Sequence, residues 1–543
     1  MSVDTSTGST GVPAESEQHP RALEPLTLLV LAILSILGAM IGLHMITTLG
    51  ISPNTSVIGA LIAMMVGRIA FAGLVRFRNV HRQNLAQTAI SSATFGAANT
   101  LITPIAIPYV TGRPDLVWPM LGGALLGLAI DVWVLYRAFG SSFLPASAAW
   151  PSGVAAAETI KAGDTGGRQA KLLAVGGAAG FTLNFFGLPM SAAGVALIGN
   201  MWALLMFGLG LLVNQYYPNF FDGQTLASQY IPHGVMIGAG LVALVQAAIM
   251  LSGRRGPKAA DEVTAEETDP SLVPTVTVEA LRRTFGIGYG LYVAGALILA
   301  TITGLWSDMS VLAMIGWVLF AAFAAIVHEI IVGLAAMHSG WFPAFAVTLI
   351  FLIFGLLLGI PTEPLVVLVA YCAATGPAFA DMGYDFKAGW LLRREHRPYT
   401  AYELEGRRQQ LIGGVIGFVV AAGMVALLWR SYFEDGKIPP VSGVYGDTIT
   451  AGLTDPKVWV TLLLWAIPGA LVQIIGGPKR QMGVLLATGL LVSSPNAGWL
   501  VLIALAVRLY WEKSRGAQGE NEMALVGAGL IAGDSVYAAG KIL

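Results

Sequence analysis

The sequence of 543 residues is short of charge. Lys, Arg, Asp and Glu make up 11% of it, against 55% hydrophobic residues. Soluble domains carry roughly 25% charged residues, so the chain lacks the polar surface needed to stay in water. Cysteine is nearly absent too. Cys372 stands alone, which excludes an intrachain disulfide, an iron–sulfur cluster and a cysteine-based zinc site. The longest charged, Pro-containing stretch, 253–279, is too short for an ATPase domain, and no glycine-rich loop ends in Gly-Lys-Ser/Thr. His328-Glu329 opens like a zinc-protease motif, but Val332 stands where HExxH needs its second histidine. The seven histidines show no spacing for paired haem ligands, and no span carries a convincing GxSxG-like element. We therefore expect no enzyme: no catalytic residue, no metal site and no cofactor. Short segments of alternating polarity, which an outer-membrane barrel requires, are missing as well.

What the chain does have is apolar runs. In the first half they cover 26–48, 55–75, 84–110, 117–137, 141–160, 172–190, 194–216 and 230–252. In the second they cover 284–304, 309–337, 342–360, 364–382, 409–429, 458–476, 481–509 and 522–541, with 481–509 interrupted by Ser493-Ser494-Pro495-Asn496. The fold class is an all-α polytopic membrane protein of about 14–16 transmembrane helices in two related halves, with broken or re-entrant helices. The domain reading is a polar N-terminal tail at 1–24, a first transmembrane half at 25–252, a linker at 253–279 and a second half at 280–543. The tail lacks a basic n-region, so the first span serves as its own uncleaved insertion signal. Arg254, Arg255, Lys258, Arg282 and Arg283 place the linker in the cytoplasm, and Arg76, Arg78 and Arg82 do the same for the loop after the second span. An even number of crossings before each puts the N-terminus in the cytoplasm.

Two matches suggest an internal duplication. IKAG at 160–163 returns as FKAG at 386–389, an offset of 226; VMIGAGLVA at 235–243 returns as ALVGAGLIA at 524–532, an offset of 289. The difference implies an insertion of 63 residues in the second half, which should include the polar loop 431–457.

One span is too polar for lipid. NLAQTAISSATFGAANT, 84–100, lies in an uncharged stretch yet holds Asn84, Gln87, Thr88, Ser91, Ser92, Thr94, Asn99 and Thr100. Asn84, Thr88, Ser91 and Asn99 recur on one helical face. Such groups hydrogen-bond between packed helices, but so many together point to a wetted pathway. Two broken segments accompany it. SSFLPASAAWPSGVAAAETIKAG, 141–163, has Pro145, Pro151 and Gly153, and ATGPAFADMGYDFKAG, 374–389, has Gly376-Pro377 followed by Asp381 and Asp385. Discontinuous helices at matching places in two halves are a pointer to a transport site. Ionisable residues within spans usually face a cavity or a partner. Here Asp131, Glu363, Lys161 and Lys387 read as interfacial charges, and Asp534 is a further candidate. We assign the substrate pathway to Asn84, Gln87, Thr88, Ser91, Asn99, Ser152, Glu158 and Asp381, and proton coupling to His328, Glu329 and Asp385. Residues alone thus indicate a secondary transporter of a polar solute. The alternatives are an ion or solute channel, and a sodium-coupled carrier of another amphoteric molecule.

At these same residues the chain resembles the oligopeptide transporter superfamily, in its prokaryotic or yellow-stripe-like branch. The resemblance runs from about residue 25 to 540. It is carried by Asn84-Leu85-Ala86-Gln87-Thr88, by Trp150-Pro151-Ser152-Gly153-Val154-Ala155-Ala156-Ala157-Glu158, by Asp385-Phe386-Lys387-Ala388-Gly389 and by Gly529-Leu530-Ile531-Ala532-Gly533-Asp534. The first is one residue shorter than the family pattern, and the Asn-Pro-Gly signature of the eukaryotic peptide carriers is absent. The resemblance implies a proton-coupled symporter that imports small peptides or peptide-like metal chelates, in a bacterial cytoplasmic membrane. Its partners would be that substrate, protons and the lipid bilayer, with a homodimer as a further candidate and nucleic acid not expected.

Overall fold

A computed structural model describes residues 18–49, 55–68, 74–165, 167–251, 269–340, 342–452, 457–478, 480–492 and 494–540. Most of the tail 1–24, much of the linker 253–279 and Ser493 lie outside the described residues.

The described chain is helical throughout. In the first half the helices are α1 (Pro25–His44), α2 (Thr55–Arg68), α3 (Val80–Phe95), α4 (Thr103–Val110), α5 (Val117–Ala138), α6 (Pro151–Thr165), α7 (Gly167–Phe185), α8 (Met190–Ile198), α9 (Met201–Phe220) and α10 (Ile231–Leu251). The second half continues with α11 (Val278–Ile302), α12 (Val311–Ser339), α13 (Ala344–Leu357), α14 (Thr362–Ala373) and α15 (Pro377–Arg393). It ends with α16 (Tyr399–Glu434), α17 (Pro440–Ala451), α18 (Lys457–Gly476), α19 (Met482–Leu491) and α20 (Ala497–Gly540), the last broken at Gly516. Side-chain caps start several of them: Asn79 accepts from the His81 and Arg82 amides, Asn200 from Ala203, Thr277 from Ala280 and Ser310 from Ala313.

Among the described residues, seven stretches are long and apolar enough to cross a membrane: Pro25–Thr47, Val80–Val110, Pro114–Ala138, Val278–Ile302, Val311–His338, Thr362–Arg393 and Tyr399–Glu434. Shorter apolar helices, among them Val460–Gly476 and Met482–Leu491, complete an all-α polytopic membrane protein. Burial separates two stretches from the rest. The apolar window of Val80–Val110 is 94% buried and that of Thr362–Arg393 is 100% buried, whereas Tyr399–Glu434 is only 33% buried. A span facing lipid keeps apolar side chains on its outside, as α1 does with Leu29, Ile33, Leu37 and Met40. The two enclosed spans instead see protein on all sides, so their polar groups are not set against lipid.

Glycine makes that enclosure tight. A Cβ on Gly38 of α1 would lie 2.8 Å from the Ile90 carbonyl, and one on Gly417 of α16 would meet the Ala89 carbonyl. The backbone of α3 is thereby pressed between α1 and α16. Elsewhere the helices pair across the two halves. α7 and α8 pack on α20, α10 packs on α18, and α9 packs on α19. Small residues line each seam: a Cβ on Gly176 would lie 2.5 Å from the Val526 carbonyl, one on Gly194 2.6 Å from that of Gly527, and one on Gly238 would collide with Ala466.

Several boundaries differ from the hydropathy reading. The expected span 141–160 is helical only from Pro151, because 139–149 form a non-helical turn in which Phe139 and Leu144 bridge. The window 194–216 is two helices, parted at Gly199-Asn200, and the polar loop 431–457 contains α17. Between α3 and α4 the helix runs through a π-helical stretch, Gly96–Ile102. Hydropathy averages over such local changes of hydrogen-bond register and does not see them.

Candidate functional site

The polar face of α3 meets the broken helix. α14 ends at Ala373, Gly376 adopts φ +88°, and α15 begins at Pro377. Only glycine enters that left-handed conformation without strain, and proline at the first helical position needs no amide partner. One turn on, Asp381 and Asp385 project on the same side of α15, toward α3 and the N-terminus of α2.

Donors converge on both carboxylates. Asp381 Oδ1 accepts from Ser91 Oγ at 2.8 Å and from Thr55 Oγ1 at 3.0 Å. Asp385 Oδ1 accepts from Ser56 Oγ at 3.1 Å and from Gln87 Nε2. Ser91 Oγ lies 3.1 Å from both Thr55 Oγ1 and Ser56 Oγ, and Asn84 Nδ2 donates to Gln87 Oε1 at 2.9 Å. Gln410 of α16 closes the ring, donating to Thr88 Oγ1 at 3.1 Å and to the Asp385 carbonyl at 2.7 Å. All of these side chains are buried. Yet Asp381 Oδ2, Asp385 Oδ2 and Asn84 Oδ1 are enclosed with no partner among the described residues. Unpaired buried acceptors are destabilising, and a proton, an ammonium group or a cation would satisfy them.

Gln410 also ties this cluster to a buried ion triad. Its Oε1 accepts from Arg393 Nη1 at 2.8 Å, while Arg393 Nε donates to Glu403 at 2.8 Å and Arg407 donates to the same carboxylate at 3.1 Å. Arg407 further donates to the Phe139 carbonyl at 2.8 Å, fastening the turn before α6. A cavity of about 780 Å³ opens nearby, lined by His19, Arg21, His396, Tyr402, Glu405 and Arg408. His19 there is held neutral: burial first, then the Arg393 charge, pushes it down from the ordinary 6.5 to about 3.

The remaining sequence-selected residues spread around this core. Ser152 is buried against Tyr384 of α15. Glu158 is partly exposed and pairs with Lys161 at 3.2 Å. Asn99 sits half-buried in the π-helical stretch. His328 and Glu329 are adjacent in α12 but part company: the His328 ring nitrogen Nε2 meets the Ala344 carbonyl at 2.9 Å, whereas Glu329 Oε2 accepts from Tyr292 of α11 at 2.6 Å. Asp131 corrects its expected interfacial place. It is fully buried, and its Oδ1 lies 2.7 Å from the same Tyr292 hydroxyl, because α5 lies under the α14–α15 break and not at the membrane edge. Lys387 is likewise buried, donating to the Ala146 carbonyl at 2.9 Å over the ring of Trp390. Glu363 does sit near the surface, paired with Arg113. Asp534 accepts from Asn184 at 2.7 Å and Ser191 at 2.6 Å, fastening α20 to the α7–α8 connection.

The family profile described as OPT oligopeptide transporter protein matches residues 26–212 and 188–539. The chain belongs to the oligopeptide transporter family. No curated protein matched the sequence. As an oligopeptide transporter it is an integral, multi-pass carrier within a transporter family, not an enzyme family. Sequence reading missed Thr55 and Ser56, which look like ordinary helix-starting residues, and Gln410, which is hidden in a basic run. It also missed Tyr292, which carries no signal in an apolar span.

Proposed function

We propose that this oligopeptide transporter is a proton-coupled symporter importing small peptides or peptide-like metal chelates across a cytoplasmic membrane. The observation that carries the reading is the meeting of α2, α3 and α15. There Thr55 and Ser56 of α2, with Gln87 and Ser91 of α3, surround Asp381 and Asp385 of α15, and α3 and α15 lie in the two spans most completely enclosed by protein. Hydroxyls and amides both donate and accept, which suits a zwitterionic or chelate substrate. Buried carboxylates with one oxygen unsatisfied suit a proton that enters with it. In this proposal Asn84, Gln87, Thr88, Ser91, Asn99, Ser152, Glu158 and Asp381 border the substrate route, while His328, Glu329 and Asp385 serve coupling.

The two halves descend, on the same proposal, from one unit. α6 and α15 carry IKAG and FKAG, and α7–α10 answer to α18–α20 in order and in their glycine seams. The 63 residues between α15 and α18, 394–456, which include α16 and α17, supply the insertion that the two offsets require. Uptake by reconstituted vesicles under an imposed pH gradient tests the function. Accumulation of a di- or tripeptide or a metal chelate, faster with an acidic exterior, is expected. Correctly inserted protein that accumulates neither would refute it, and accumulation driven only by sodium would refute the proton.

A further inference from the structure

Deep in the bundle, away from the Asp381–Asp385 cluster, three side chains from three helices meet. The Tyr292 hydroxyl of α11 lies 2.7 Å from Asp131 Oδ1 of α5 and 2.6 Å from Glu329 Oε2 of α12. All three are fully buried. A phenol has one proton and can donate it once. The second short contact therefore needs a proton of its own, which only a carboxyl group can supply. Two ionised carboxylates against one hydroxyl would leave an oxygen–oxygen contact with no hydrogen between.

Among the described residues, the surroundings supply no cationic side chain. The groups facing the triad are Tyr371 of α14, whose hydroxyl donates to the Tyr292 carbonyl at 3.4 Å, and the backbone amides of Gly376 and Phe379, which donate to Asp131. Cys372 is directed to the Ala324 carbonyl, and His328 to Ala344 and Thr348. No cation pairs with either carboxylate, and Glu329 Oε1 is enclosed with no partner among the described residues.

We propose that Asp131, Tyr292 and Glu329 form a site that stores one exchangeable proton, and that its occupancy is read by the break between α14 and α15. This rests on the symport reading and deepens it by naming Asp131 and Tyr292 as the partners of Glu329 and giving that site a single proton. The link to substrate is geometric. Asp131 bonds the Gly376 amide at 2.5 Å, and Gly376 caps the helix on which Asp381 and Asp385 sit. When the proton leaves, both carboxylates compete for one hydroxyl and repel. Asp131 then pulls away from or toward the Gly376 amide, and the start of α15 moves with it.

Infrared spectroscopy of the full chain in lipid, with no substrate added, tests the site. Absorption by protonated carboxyl groups is expected at neutral pH. Glu329→Gln and Asp131→Asn should each remove one carboxyl's share of it, because either amide provides the missing donor and lets the other group ionise. The double variant should remove no more than either single one. A spectrum unchanged in both variants, or a double variant losing twice as much, would overturn the proposal. Should the amide variants not fold, Tyr292→Phe decides: the band must shift to higher frequency as the acid loses its acceptor, and an unmoved band refutes the site. The readout needs no transported solute. Failure of peptide uptake would thus sink the symport reading while leaving the proton site standing, and the converse also holds.

Discussion

Removing Glu403 should destabilise this protein more than removing all three members of its ion triad. Glu403 is fully buried and accepts from Arg393 at 2.8 Å and from Arg407 at 3.1 Å. In Glu403→Leu both guanidiniums stay enclosed with their counter-charge gone. Breaking a buried pair in this way costs about 3–5 kcal/mol. The lower end applies here, about 3 kcal/mol, because Arg393 keeps Gln410 and Arg407 keeps the Phe139 carbonyl. Replacing the whole triad with well-packed apolar residues, as in Arg393→Met, Glu403→Leu, Arg407→Met, removes the desolvation penalty along with the pairing and should return stability to within about 1 kcal/mol of the parent. Thermal unfolding of the protein in detergent, followed by the loss of the monodisperse species, reads both. A chain of this size loses less per kcal/mol than a small domain, so the single variant should melt lower by about 3 °C. A single variant that melts with the parent, or a triple variant that melts below it, would refute the reasoning.

Three further outcomes follow from the geometry. Ser91→Ala strips Asp381 of its shortest hydrogen bond and should cost about 1–3 kcal/mol, with a raised KM for the transported peptide in vesicle uptake; an unchanged KM would remove Ser91 from the pathway. Gly376→Ala forces a left-handed φ on a residue whose Cβ would lie 2.7 Å from the His328 ring, so it should cost about 1–3 kcal/mol and slow uptake in vesicles containing equal protein, whereas Gly423→Ala on α16, with open space around it, should not. The segment 18–24 should undock on acidification. His19 ordinarily titrates near 6.5 but near 3 when docked, so the undocked form binds an extra proton between those values, and docking weakens as pH falls below 6.5 by about 2 kcal/mol at pH 5. A spin label at Leu23→Cys reports it, since Leu23 is exposed and Cys372 is buried. Mobility that rises with acid in the parent and stays flat in His19→Gln is expected, and equal behaviour in both would exclude His19 as the trigger.

Much of this architecture was legible in the residues because it follows from local rules. Low charge and repeated apolar runs require a helical bundle in lipid. Gly376-Pro377 announces a helix break, and the clustered amides of 84–100 announce a face turned away from lipid. The pairing of side chains from distant segments was not legible. Asp131, Tyr292 and Glu329 come from three helices far apart in the chain, and only packing shows that they share one hydroxyl. The same limit hid Thr55 and Ser56, whose polarity suits a helix start as well as a site. Neighbours in sequence misled for a related reason: successive residues of an α-helix diverge by about 100°, so His328 and Glu329 look at different partners.

The glycine seams between the halves carry a mechanical consequence. α7 and α8 are clasped to α20, α9 to α19, and α10 to α18, at separations where no Cβ fits. Each half thus holds the other by several interlocked fingers. Two lobes rocking apart along the line of the duplication would have to open all of those clasps at once. Movement that admits a solute must instead run through the segments outside the clasp, α2, the turn before α6, and the break that leads into α15. The carrier is better pictured as a rigid frame with a latch inside it than as a pair of jaws.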